Sequence, residues 1–315
     1  MHLPDGFIDG KTAATAAALS AVGVGIALRR VRRQMPARKV PLLGLMAAFL
    51  FAAQMVNFPV AGGTSGHLIG GVLAASLLGP SAAVVAVTTV LIVQCFLFAD
   101  GGVLALGANV LNMAIINPAA GYAIYRLVCW KMPGIRGRVT AVAFGGWCAT
   151  VLAALSCAGQ LAWSRTISWG AGFTAMAGVH MLIGVGEGLI SALVLLAIHR
   201  TRPEMIVETS LSRPQRWADL TCYGLLGALG LALFVAPFAC SWPDGLESVA
   251  ARFGIHAQTV GVIWPAPAPN YQPRGMPWGM AATAVGGTVG ALIAFGLALL
   301  LGWVLVPAKK GVKPT

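Results

Sequence analysis

Residues 173–198 read FTAMAGVHMLIGVGEGLISALVLLAI, and this stretch decides the fold class. Its only ionisable side chains are His180 and Glu187. It also exceeds the ~20 residues an α-helix needs to cross a bilayer. Seven more stretches of the same character lie at 11–28, 40–58, 82–99, 103–125, 139–161, 218–238 and 278–306. A briefer one, 67–79, reads as a short or broken helix buried among the others, where irregular backbone is tolerated. The expectation is an all-α, polytopic membrane helix bundle of about nine transmembrane segments.

Composition agrees. The chain is 58% hydrophobic and 10% charged, with a mean hydropathy of +0.82, whereas soluble domains carry about 25% charged residues. The 40 glycines suit helices that pack closely in lipid. A net charge of +12 would suit nucleic acid, but the basic residues sit in short clusters between apolar runs. No nucleic-acid partner is expected, and membrane lipid is. The six cysteines contain no CxxC pair and read as small apolar residues, not as a disulfide framework.

The clusters set orientation. With the N-terminus outside, 17 of the 21 Lys and Arg fall inside, in 29–39, 126–138, 199–216 and the tail. Lys11, Arg165, Arg252 and Arg274 remain outside. The C-terminus is then cytoplasmic. Residues 11–28 read as a retained span, because the charges follow the apolar run where a signal peptide carries them before it. Charges and two prolines in 199–217 mark a boundary. The expected organisation is a seven-segment unit at 1–200, a cytoplasmic linker at 201–217 and a two-segment hairpin at 218–315. The hairpin's outside loop begins with PDGLESVAARFG, which suits a short amphipathic helix starting near Asp244. It continues as PAPAPNYQPRGMP, which cannot form regular structure.

On the outside face this topology brings together MHLPDG and FPVAGGTSGH. If Met1 is the mature start, its α-amine, the amide nitrogen of His2 and the His2 imidazole lie within five- and six-membered chelate rings of one another. Three nitrogens held this way are nearly coplanar, and His67, after Gly-Thr-Ser-Gly, is placed to supply a fourth. Square-planar nitrogen coordination suits Ni(II) or Cu(II). The plainer reading is an incidental terminal histidine and a helix-capping His67.

Several polar residues interrupt the spans: Gln54, Asn57, Gln94, Asp100, Asn109, Asn112, Asn117, His180 and Glu187. Such groups usually face the bundle interior. His180 and Glu187, seven apart, share a helix face. They read as a proton relay, a second metal station, a network orienting His67, or hydrogen bonds fixing the bundle. Asp100 reads as a helix cap, and Gln54 and Asn57 as interhelical glue. There is no G-x-x-x-x-G-K-[ST], no HExxH and no visible repeat between halves, so P-loop ATP hydrolysis, a metalloprotease and paired-repeat transport are not supported.

Taken together, MHLPDG, QMVNFPV, GGTSGHLIGG, LLGPSAA, LFADGG, LGANVLNM and HMLIGVGEGLI resemble the substrate-binding (S) subunit of nickel/cobalt energy-coupling-factor (ECF) transporters, the CbiM/NikM type. The resemblance runs in order from Met1 to about residue 200. SWPDGLESVAARFG resembles the PDGLE element of the NikN-type accessory subunit, so the chain looks like a fusion of the two. The resemblance implies metal ligands at Met1, His2 and His67. By their place in the spans, Gln54, Asn57, His180 and Glu187 are candidates for supporting those ligands or lying on the ion's path. Leu3 stands where isoleucine is common. The resemblance also implies a transmembrane coupling (T) subunit and two cytoplasmic ATPase subunits as partners. In that family the S subunit tips in the membrane as ATP is spent, and the accessory loop helps load the metal. The expected protein is therefore not an enzyme and holds no cofactor. It is a subunit in the plasma membrane of a prokaryote that imports Ni2+. A cobalt importer supplying cobalamin synthesis is the alternative within the family. An intramembrane enzyme using His180 and Glu187 is the alternative from another class, but it lacks a visible nucleophile or two-carboxylate metal site. A scaffold without substrate is a third.

Overall fold

The computed structural model describes residues 1–203, 214–255 and 263–306. The helices are α1 (Gly10–Gln34), α2 (Val40–Gln54), α3 (Gly71–Leu78), α4 (Pro80–Phe98), α5 (Leu106–Asn109), α6 (Asn117–Lys131), α7 (Gly134–Trp163), α8 (Trp169–Thr201), α9 (Pro214–Phe234), α10 (Gly245–Arg252) and α11 (Gly279–Leu305). Among the described residues, seven helical stretches are long and apolar enough to cross a membrane: α1, 37–54, α4, α7, α8, 219–238 and α11.

Two of the nine expected segments take other forms. Residues 110–116 are π-helical between α5 and α6, so 106–131 is one helical run with a wider turn inside it. Pro118 accounts for this, since it lacks an amide N–H and its ring crowds the preceding turn. In 67–79 only Gly71–Leu78 is helical. The four residues before it run as irregular chain into the bundle, and Gly70, at φ 74°, turns that chain into α3. The all-α expectation has one small exception. β1 (Phe58–Val60) and β2 (Thr64–Gly66) form an antiparallel hairpin with Pro59 opposite Ser65, turning through Gly62 and Gly63 at positive φ.

Close approach of backbones holds the long helices together, and glycine permits it. A Cβ on Gly184 of α8 would lie 3.1 Å from the Trp147 carbonyl of α7, and one on Gly44 of α2 would lie 3.0 Å from the Phe295 carbonyl of α11. The C-terminal hairpin α9/α11 therefore packs on α2, and α11 also meets α4. At one end of the bundle the loops tie together. Gly102 N–H donates to the Leu3 carbonyl, Ser65 N–H to Pro243, Cys240 N–H to Asn57 and Ala268 N–H to Leu97. The N-terminus lies among these loops, while Arg30 and Lys39 border a cavity with Pro80 at the opposite end. All six cysteines are free. Of the expected linker 201–217, residues 204–213 lie outside the described residues. So do the tail lysines Lys309, Lys310 and Lys313.

Candidate metal centre

The first five residues are fixed through their backbone. Asn109 grips Leu3 on both sides, its Oδ1 accepting from the Leu3 N–H at 2.7 Å and its Nδ2 donating to the Leu3 carbonyl at 3.0 Å. The Asp5 carboxylate accepts from the amides of Val103, Leu104 and Ala105 at 3.0, 2.8 and 3.2 Å, tying down the turn that leads into α5. Leu3 is fully buried, so the two residues before it project inward. The segment then leaves through Asp9, whose side chain caps α1 at Thr12 N–H.

This anchoring carries the Met1 amino group to His67. The ammonium donates to His67 Nε2 at 2.9 Å and to Asp244 Oδ2 at 2.6 Å. The His2 and His67 rings stack with centroids 5.3 Å apart. His2 Nδ1 is buried, has no hydrogen-bond partner among the described residues, and lies 3.7 Å from Asp100 Oδ1. Burial pushes His2 below the ordinary histidine range. Burial, then the positive charge of the amine, pushes His67 well below it. Both imidazoles are thereby kept neutral, the form that ligates metals. Burial alone would raise the Asp244 carboxyl, but the charge and hydrogen bond of the ammonium outweigh it and hold Asp244 well below the carboxylate range.

His67 is held through the residues just after it in the chain. The Glu187 carboxylate accepts from Ile69 N–H at 2.6 Å and Gly70 N–H at 2.8 Å, and Gln54 Nε2 donates to the Ile69 carbonyl at 3.0 Å. These two side chains from α8 and α2 satisfy the irregular chain where it enters the bundle, as a non-helical segment at that depth requires. Glu187 and Gln54 thus reach the loop after His67. Asn57 borders the cavity above the histidines. His180 faces a smaller cavity beside Met1 and His67, with its Nδ1 donating to the Met176 carbonyl at 2.8 Å.

The upper cavity, about 300 Å3, is bordered by His2, His67, Asp100, Asp244, Glu247 and Tyr271. Asp100 does not cap a helix, contrary to expectation. Its carboxylate instead accepts the Tyr271 hydroxyl, and Tyr271 stacks on Phe98 at 4.8 Å. Asp5, not Asp100, takes up the 103–105 amides that lead into α5. Asp244 begins α10, as expected, in a reciprocal capping box with Glu247. The sequence does not reveal that its second carboxylate oxygen holds the Met1 amine. The one available signal is a charged cap residue in a loop assigned to the same face as MHLPDG. Among the described residues, no group of three or more His, Cys, Asp or Glu side chains is placed to hold a metal ion.

Residues 2–205 match the family model of the cobalt uptake substrate-specific transmembrane region, CbiM, and residues 218–307 match the PDGLE domain. The putative fused nickel transport protein NikMN of Archaeoglobus fulgidus is 36% identical over 96% of this chain and 98% of its own length. The fused nickel transport protein NikMN of Rhodobacter capsulatus is 30% identical over 96% and 97%. The putative cobalt transport protein CbiM of Methanococcus voltae is 29% identical over 65% and 94%. A crystal structure of a truncated transition metal transporter superposes with a TM-score of 0.58 at 34% identity, covering 64% of this chain and 99% of that one. The chain belongs to the CbiM family, carries a PDGLE domain after it, and is a multi-pass membrane protein of nickel/cobalt transport, not an enzyme.

Proposed function

We propose that this chain is the substrate-binding subunit of an ECF-type importer in a prokaryotic plasma membrane, and that it captures Ni2+ from outside through the Met1 amine, the His2 amide and imidazole, and His67. The observation that carries this reading is the 2.9 Å between the Met1 amine and His67 Nε2. In a planar square with metal–nitrogen bonds of ~2.0 Å, neighbouring nitrogens are ~2.8 Å apart. The chelate puts the amine beside the amide and opposite the His2 imidazole, so the fourth ligand neighbours the amine, where His67 is. The unpartnered His2 Nδ1 is the ring atom that closes a six-membered chelate. Binding replaces one proton of the ammonium with the ion and removes the ammonium charge that Asp244 pairs with.

Residues 1–200 form the metal-binding unit in this reading, 201–217 a cytoplasmic linker, and 218–315 the accessory hairpin that brings Asp244 to the amine. ATP hydrolysis belongs to two separate ATPase subunits, joined through a transmembrane coupling subunit. Nickel is favoured over cobalt because four coplanar nitrogens suit low-spin Ni(II), while cobalt prefers added axial ligands. Cobalt is the second reading, supported by the CbiM-named relatives. The test is Ni2+ binding to purified protein beside His2→Ala and His67→Ala. One ion per chain, lost in both variants, is expected; binding that survives His2→Ala contradicts the chelate.

A further inference from the structure

Below the two histidines lies a second, much smaller cavity, about 10 Å3, bordered by Met1, His67, Thr150, His180, Asp244 and Gly245. That is the volume of roughly one water. Two polar atoms on its wall have no hydrogen-bond partner among the described residues, His180 Nε2 and Thr150 Oγ1. Both side chains are deeply buried, His180 at 1% exposure and Thr150 also at 1%. A buried polar group without a partner costs free energy, so two around one space call for an occupant. The tautomer of His180 says which kind. A backbone carbonyl only accepts, so the bond to Met176 puts the proton on Nδ1 and leaves a lone pair on Nε2. Metal sites orient their histidines in the same way.

We propose that this cavity holds a water bound axially to the transported ion, with His180 Nε2 and Thr150 Oγ1 as its hydrogen-bond acceptors. The inference rests on the Met1–His2–His67 reading. The space borders two of the proposed ligands, and metal-bound water is a strong donor that needs acceptors. His180 and Thr150 are then positioning residues. They offer a fifth ligand to an ion that wants one and leave a square-planar ion unaffected. Acceptance of Co2+, which prefers axial ligands, depends on them, and acceptance of low-spin Ni2+ does not.

The test compares Ni2+ and Co2+ binding to the full chain with a native N-terminus, in wild type, His180→Asn and Thr150→Val. Asparagine keeps a donor toward the Met176 carbonyl and removes the Nε2 lone pair. Expected is a loss of Co2+ affinity of about 10-fold or more, the usual effect of removing an outer partner of a metal site. Ni2+ affinity should stay within about threefold. Line broadening of the Co2+ electron paramagnetic resonance signal in 17O-water should appear in wild type and vanish in both variants. Equal effects on the two metals, no effect on either, or no broadening in wild type overturns the proposal. Because a merely destabilised protein weakens both metals alike, the ratio of the two affinities is decisive. His2→Ala keeps the two readings apart: if it binds like wild type, the parent site is wrong, whereas wild-type behaviour of His180→Asn alone removes only the axial water.

Discussion

At the scale of single residues, the proposed centre is a set of neutral nitrogens with one ammonium among them. His2 and His67 are pushed below the ordinary histidine range, so near neutral pH they are already unprotonated and release nothing on binding. To bind as ligands, the amine that donates to His67 and Asp244 gives up one proton and the His2 amide gives up another. Metal affinity therefore rises with pH, by up to about 100-fold per unit for two protons released. Calorimetry in buffers of different ionisation enthalpy should count two protons per Ni2+ near pH 7.5. A count of zero contradicts a chelate through the amide. Which single residues matter was only partly legible in the sequence. His2 and His67 could be paired because one lies at a terminus and the other follows a glycine-rich turn on the same expected face. Asp244 could not be paired with Met1, since their contact joins positions 243 apart and depends on how α9 and α11 dock against α2.

Between elements, the tie that matters most runs from α8 to the irregular chain before α3. Glu187 supplies two acceptor oxygens to two adjacent amides. Glu187→Gln keeps one acceptor and turns the other into a donor facing a donor. With charged hydrogen bonds contributing about 1.5–3 kcal/mol each, the variant should unfold at lower temperature in detergent and bind Ni2+ about 10-fold or more weakly through a loosened His67. Wild-type values for both would mean that Glu187 does not position the loop. The spacing of His180 and Glu187 placed them on one face of one helix, as found. Their separate tasks were hidden, because each is set by a different neighbour: the Ile69 and Gly70 amides for one, the cavity beside Thr150 for the other. The short 67–79 segment was readable as broken because its apolar run is too brief to cross. The π-helical turns at 110–116 were not, because the same proline is also compatible with a plain kink.

For the molecule as a whole, the loops that meet at Met1 all lie at one end, and the clusters at 29–39 and 126–138 adjoin the other. The charge bias predicts that this end lies outside. In a variant lacking native cysteines, Arg252→Cys at the end of α10 should react with a membrane-impermeant maleimide in intact cells. Met132→Cys, between α6 and α7, should react only after permeabilisation. The reverse pattern would turn the molecule over and make capture from outside untenable. The general architecture was legible because length and hydropathy alone constrain a chain in lipid. The site was less so, because it is assembled from the terminus, two loops and the C-terminal hairpin, which only the packed helices bring together.

The central claim is that the terminal amine is itself a ligand. It is tested most directly by Ni2+ binding to protein with a free Met1 amine, beside the same protein acetylated on that amine. Acetylation converts the amine into an amide, adds no new amine and changes no side chain. The account predicts one diamagnetic, yellow Ni2+ per chain in the first protein and loss of that species in the second. Equal binding with the same spectrum in both would contradict it.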